Sequence, residues 1–394
     1  MKTAPVLKEA LRLFFPLAAA HGALWPVLWV IVDAYDLPLA TSIPSSQWHA
    51  HEMLFGTYGM ALAGFLASAV PEWTDTNPTR SRALVMFALL WLPGRIVGVV
   101  GWDALSLFAG LTDMVFYCAL LVVIIRPMIA RRTTNHLSFV FWLSAFVFAE
   151  AGIRIAWFLG EYELSARFID AALSIFVVFF SLSAARISVV VINLALDPTG
   201  ASSPYRPHPG RRHAASAMVS AYIVLSLLLP HSLVPGWIAL AAGAAFFDRL
   251  AEWFIGRAVL KPEVLTLAVA NMFGGLGFLA LGAARLGADV PVLAGLHLLG
   301  VGTLGLAVIA VFIVAGLRHT GRDLVALPWQ AYVSIGLVAA SAVLRVLPEF
   351  GFVPEFYGAH HAASAILWSA AFAIWLQGFV PFLVRPGLAD GACR

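Results

Sequence analysis

Gln47-Trp48-His49-Ala50-His51-Glu52 sets two imidazoles and a carboxylate at the mouth of a segment that then runs apolar through Val70. Imidazole is the common protein ligand of haem iron and also suits copper. An ionisable side chain beside hydrocarbon is costly without a partner, so each of these groups must bind something. His49 and His51 are two positions apart, about 200° around an ideal helix. Both reach one metal only if the segment is not helical there; otherwise they serve two centres, or one is a ligand and the other packs.

Further donors lie along the chain. His297 sits in Leu296-His297-Leu298-Leu299-Gly300, within an apolar run, while His360 and His361 are adjacent and expected to face different ways. His49, His51, His297, His360 and His361 are the candidate metal ligands. The bland alternative for each is a polar anchor at a membrane interface. Arg95 and Arg345, with Arg154, are candidates to hold the propionates of a haem, because carboxylates at a cofactor edge want guanidinium partners. Glu150 and Arg154 are one turn apart and can pair locally, and Asp113, Glu150, Asp170 and Asp248 fall within spans, where they fix packing or mark a proton route. His208 and His213, beside a polar stretch, receive no site role.

The elements that must position these residues are membrane helices. Of the 394 residues 61% are hydrophobic and 11% charged, with a mean hydropathy of +0.90; soluble chains carry about 25% charge. A span needs roughly 20 apolar residues, and twelve candidates stand near 11–34, 47–70, 82–101, 104–125, 136–159, 165–194, 213–230, 235–257, 263–285, 291–316, 328–347 and 357–383. With the N-terminus in the cytoplasm, 17 of the 24 Lys and Arg fall in cytoplasmic segments, among them Lys2, Arg80 and Arg394; only Arg167 and Arg285 fall outside. The outer loops carry Asp33, Asp36, Asp103, Glu161, Glu163, Asp289, Glu349 and Glu355 instead. That asymmetry supports about twelve transmembrane helices with both termini cytoplasmic. The fold expected is an all-α polytopic membrane protein, a single transmembrane domain over 1–394, with helices one to six in 1–196, a cytoplasmic linker at 197–212 and helices seven to twelve in 213–394. The N-terminal apolar run lacks a clear cleavage site and is read as a retained first span.

Several classes are excluded or disfavoured. Cys118 and Cys393 form no CxxC or CxxCH motif, so a disulfide framework and covalent c-type haem are not expected. No Walker sequence, HExxH site or GxSxG elbow is present, and no GxGxxG nucleotide loop stands out outside the apolar runs. The basic residues mark topology, so no nucleic acid is expected as a partner.

Trp48-His49-Ala50-His51-Glu52-Met53-Leu54-Phe55-Gly56, followed by Ala63-Gly64-Phe65-Leu66 and Val70-Pro71-Glu72-Trp73-Thr74, resembles the signature of the NnrS family of polytopic membrane proteins. Leu296 to Gly302 and His319-Thr320-Gly321-Arg322 agree with it, as do Arg131 to Asn135 and Ala185 to Leu196 more weakly. The resemblance implies haem and copper in the membrane, twelve spans and a part in the response to nitric oxide, with the family's histidines at His49, His51, His297 and His319. Val314 stands where a basic residue is usual, and Arg318 where glycine is usual. His297 and His319 are 22 residues apart, about 33 Å along a helix, so they cannot ligate one metal; the His319 imidazole is expected to cap carbonyls at the end of its helix.

The reading that follows is a haem b protein, with copper, in the bacterial inner membrane, which binds or metabolises nitric oxide or a related diatomic and serves nitrosative-stress tolerance or denitrification. Its partners would be the lipid bilayer, the gas and a redox partner. The alternatives are a bis-His haem electron carrier, and a transporter, which a helix broken near Asn271 to Gly277 would favour.

Overall fold

The structure, a computed structural model, describes residues 4–35, 42–79, 81–100, 105–324, 326–354 and 358–386. Lys2, Arg80 and Arg394, which enter the charge count, and Asp36, Asp103, Glu355 and Cys393 lie outside the described residues. No strand occurs among the described residues. The helices that matter are α1 (Ala10–Ala34), α2 (Ser45–Thr74), α3 (Arg82–Val100), α4 (Ser106–Ala130), α5 (Leu137–Leu159) and α6 (Tyr162–Leu196). They continue as α7 (Pro209–Leu228), α8 (Val234–Leu250), α9 (Pro262–Arg285), α10 (Val292–Arg318), α11 (Trp329–Val346) and α12 (Ala359–Val384). Among the described residues nine helices are long and apolar enough to cross a membrane; α3, α7 and α8 fall outside that nine but occupy places expected for spans.

Side-chain patterning shows why these segments are helices in lipid. Along α4, Ala109, Thr112, Asp113, Phe116, Leu120 and Ile124 are buried at helical spacing, while Leu107, Phe108, Leu111, Val115 and Val122 are exposed. The outward face is thus as apolar as the inward one, which suits a hydrocarbon solvent. Proline stands in the first turn of α7, α8 and α9, where its missing N–H costs nothing. Asp75 closes α2 and Gly160 closes α5 in the left-handed conformation.

One expectation is corrected. α8 stops at Leu250 instead of running to 257, and short 3₁₀ turns follow at Ala251–Trp253 and Gly256–Leu260. Next to that end Arg249 is fully buried and donates to the Ser181 carbonyl at 3.1 Å and its hydroxyl at 3.3 Å. Asn271 to Gly277, where a break would favour a transporter, is continuous helix in α9; the Asn271 amide donates to the Leu267 carbonyl at 2.9 Å. The irregular turns lie instead in α2 at Glu52–Tyr58 and in α10 at Leu298–Gly305, both π-helical.

The chain divides into two compact units. Unit 1 comprises Met1–Ala172, Ala315–Leu324 and Trp368–Arg394. In it α1 and α4 pack along α2, α3 packs on α4, and α4 on α5. Its core is aromatic, with Phe55 stacked on Phe146 at 4.3 Å and edge-on to Tyr117 at 5.8 Å. Unit 2 comprises Leu173–Val314 and Val325–Leu367. There α8 lies between α7 and α9, and the π-segment of α10 packs on α9 and α11.

Glycine lets α8 and α9 approach closely. A Cβ on Gly243 would stand 2.9 Å from the Gly275 carbonyl oxygen, and one on Gly282 2.8 Å from that of Gly236. Lipid offers little hydrophobic drive for helix association, so such backbone proximity carries the packing. Gly243→Val is expected to destabilise the protein by roughly 1–3 kcal/mol, the usual cost of overpacking. Gly336→Ala, whose Cβ meets no described atom within 4 Å, should be nearly neutral. Thermal unfolding in detergent checks the pair.

The turn after α6 supplies a pH dependence outside the membrane. Hydrogen bonds from the Thr199 and Ser202 hydroxyls hold the Asp197 carboxyl at about 2. The turn's contribution is therefore complete above the ordinary carboxylate range and is lost as pH falls toward about 2. Asp197→Ala should remove that acid dependence and speed proteolytic nicking of this loop.

Candidate functional site

The π-helical turn that follows His51 is built around its carbonyls. A widened turn frees backbone oxygens from the regular ladder, and here side chains claim them. The Phe55 carbonyl accepts from the Tyr117 hydroxyl at 2.5 Å, and the Gly56 carbonyl from the Trp91 indole at 3.1 Å. Gly56 also admits His21, since a Cβ there would lie 2.5 Å from the imidazole Cε1. His21 meets the Thr57 hydroxyl through Nδ1 at 2.8 Å and Glu52 through Nε2 at 3.3 Å.

Around this turn, four helices of unit 1 close a ring of ionisable groups. Glu52 on α2 faces Arg95 of α3, with Oε2 to Nε 2.7 Å and Oε1 to Nη2 3.0 Å. Asp113 on α4 bridges Arg95 and Arg154, both at 2.9 Å from Oδ2. Arg154 on α5 donates to Glu150 one turn before it at 2.8 Å. His51 completes the circuit, with Nε2 2.9 Å from Glu150 and Nδ1 3.2 Å from Glu52. Aromatic rings wall it in: Trp48 and Phe55 stack on His51 at 5.3 and 4.8 Å, and Arg154 lies over Trp48 and Trp157.

Charge balance decides what the ring must hold. Three carboxylates face two guanidiniums, and His51, Glu52, Asp113 and Glu150 are fully buried. With one further proton the ring is neutral; without it, one negative charge stays uncompensated at a cost of several kcal/mol. Nε2 of His51 also lies 3.1 Å from Arg154 Nη2, so the extra proton has more than one place to sit. His51, Asp113 and Glu150 do bring three donor atoms within 4.8 Å of one another. Arg154 already occupies an oxygen of both carboxylates, however, and supplies the positive charge that a metal ion would bring.

The other expected site residues are placed as follows. α2 is regular from Ser45 to His51, so His49 turns to a different neighbour, Trp29, at 4.4 Å between rings. His297, in unit 2, is half-buried at the last regular position before the π-turn of α10. Its Nδ1 lies 2.9 Å from the Leu293 carbonyl, which can only accept, so Nδ1 carries the proton and Nε2 the lone pair. Arg95 binds Glu52 and Asp113, and Arg345 binds Glu349 at 2.5 Å, so both guanidiniums have carboxylate partners from the chain itself. His360 and His361, expected to diverge, both direct Nε2 to Glu349 Oε1, at 3.6 and 3.4 Å. Burial pushes the Glu349 carboxyl up, but Arg345 and the two imidazoles outweigh it and hold the group below its ordinary range.

His319 does not cap carbonyls. Its Nδ1 meets Glu9 at 2.5 Å and its Nε2 lies 3.9 Å from Glu72. The helix-end carbonyls go to stronger donors: Arg12 reaches those of His319, Leu383 and Arg385, and the Thr320 hydroxyl takes that of Gly316. Sequence spacing pairs Glu150 with Arg154 but does not show Asp113 as the bridge, or Glu349 beneath the two histidines. Each partner comes from a different helix or loop.

Apolar helices enclosing a buried ionic ring define a polytopic membrane protein. The model of the NnrS family, described as NnrS protein, matches residues 5–386, and the chain belongs to that family. No curated protein matches it.

Arg154→Ala is expected to cost about 3–5 kcal/mol, because it leaves three buried carboxylates to one guanidinium, and Glu150→Ala to cost less, because Arg154 keeps Asp113 as its partner. The double variant should lose well under the sum. Thermal unfolding in detergent measures all three, and strict additivity would show that the two groups are not coupled.

Proposed function

We propose that this chain carries haem b, with copper, in the bacterial inner membrane, and that it binds or metabolises nitric oxide in nitrosative-stress tolerance or denitrification. In this reading it spans the membrane about twelve times with both termini cytoplasmic, as one transmembrane domain whose halves, 1–196 and 213–394, are joined by 197–212. Family membership supports the cofactors and the gas. The observation that carries the reading is the buried ring around His51, because six ionisable groups in apolar helices exceed what anchoring requires.

Among His49, His51 and His297, His297 is best prepared to hold iron. A hydrogen bond from Nδ1 to a carbonyl orients the ring and leaves Nε2 as the donor, the arrangement metal-bound histidines use. Gly300, one turn on, leaves room at its side: a Cβ there meets no described atom within 4 Å. His51 is held on both nitrogens by the ring, and a propionate at Arg95 or Arg345 would share that cation with Glu52 or Glu349. Haem, when bound, supplies an iron that takes up a diatomic gas and exchanges electrons. Reduction of nitric oxide consumes protons as well as electrons, and the ring is a place in unit 1 that holds a proton within the membrane span. Electrons would come from a redox partner.

The transporter reading rests on the twelve expected spans and their six-and-six division; the helix break near Asn271 to Gly277 that would have favoured it is absent, since α9 is continuous there. Absorption spectra of the purified protein, oxidised, reduced, and reduced with nitric oxide, test the proposal. A Soret band that shifts with the gas is expected, and His297→Ala should remove or displace it. No band after haem-sufficient expression would overturn the reading, and a band indifferent to the gas would favour a bis-His electron carrier.

A further inference from the structure

We propose that Glu349, His360 and His361 form a binding site for one divalent first-row transition ion of borderline softness, Zn²⁺ or Cu²⁺. The site belongs to unit 2 and lies where the turn after α11 meets the first turn of α12. It does not rest on the haem; if the ion is copper, the site gives a place to the copper of the proposed function, and the haem spectrum tests the rest of that reading separately.

The geometry is that of a coordination shell. Ligand atoms 2.0–2.2 Å from a tetrahedral centre are spaced about 3.3–3.6 Å apart. The two imidazole Nε2 atoms stand 3.6 and 3.4 Å from one Glu349 oxygen, and all three donor atoms fall within 4.8 Å of one another. The imidazole rings are 4.1 Å apart and inclined at 73°, so two nitrogen donors come from adjacent residues without eclipsing. That Glu349 oxygen already accepts from Arg345 at 2.5 Å. Without an ion that oxygen accepts from Nε2–H; with the imidazole protons on Nδ1, a cation among the three donors takes the place of those protons. Arg345 then hydrogen-bonds the ligating carboxylate, the kind of outer support metal carboxylates usually have.

Two imidazoles and one carboxylate select borderline ions over Mg²⁺ or Ca²⁺, which prefer oxygen alone. Three protein donors leave a fourth position for water. The cluster is also reachable: His360 is buried, but His361 is half-buried with its side chain 34% exposed. Both clusters have guanidinium partners, and the ring around His51, which offers a similar donor set, differs in being closed to solvent.

The test uses the full chain in detergent, stripped with a chelator and dialysed against micromolar Zn²⁺ or Cu²⁺. Metal content by mass spectrometry should be one equivalent lower in the His360→Gln/His361→Gln variant and in Glu349→Gln than in the unsubstituted chain. The Cu²⁺ form should give an electron paramagnetic resonance signal split by two nitrogens, reduced to one in either single histidine variant. Unfolding temperature and the haem spectrum, if haem is present, check that each variant is folded. Folded variants that keep the full metal content would overturn the site, as would an unsubstituted chain that binds no ion. Either result leaves the haem proposal to its own spectrum.

Discussion

A charge inside hydrocarbon has to be answered by another charge of the same molecule, and in this chain the answer is a closed circuit. Glu52, Arg95, Asp113, Arg154, Glu150 and His51 alternate acid with base and return to their start, so each member is met from two sides. An open row of the same groups would leave unmatched ends. Closure fixes the relative rotation of four helices, because α2, α3, α4 and α5 must each present one or two named side chains to the same small volume. His21 adds α1 through Glu52 and Thr57. The neighbouring aromatics exclude lipid and water from it, and the low dielectric they create strengthens the same interactions they enclose.

The sequence made the outline of the fold legible because membrane helices write themselves in composition and length. The places of the helical segments could be read from apolar runs, and the clustering of Arg and Lys in alternate loops gave an orientation to expect. α8 departed from the reading because an apolar window does not register where a helix ends: beyond Leu250 the chain turns through short 3₁₀ segments, and Arg249, one polar residue in that window, is buried against the Ser181 carbonyl.

The site was legible in part. His49, His51, Glu52 and His297 stood out by type and position, and Glu150 with Arg154 by spacing. Asp113 and Arg95 looked like isolated charges, since their partners lie on other helices and no periodicity within one segment reports them. Hydropathy could not foretell the π-turns either: Glu52–Tyr58 is widened by what Tyr117 and Trp91 do to its carbonyls. His360 and His361 were expected to diverge on helical geometry, a sound rule for backbone directions. It gave way because Glu349 sits between those directions and both imidazoles can swing toward it.

The π-segment of α2 has a mechanical corollary. An α-helix advances about 100° per residue, and a stretch wound to a longer repeat falls behind that rotation. The stretch carrying His49 and His51 is therefore out of phase with the stretch from Gly59 onward, although both belong to one continuous rod. The rod behaves as two keys cut on one shank: its first part is aimed at Trp157 and Glu150, while its later part packs along α1. The length of Glu52–Tyr58, more than the identity of most residues in it, sets the angle between the two.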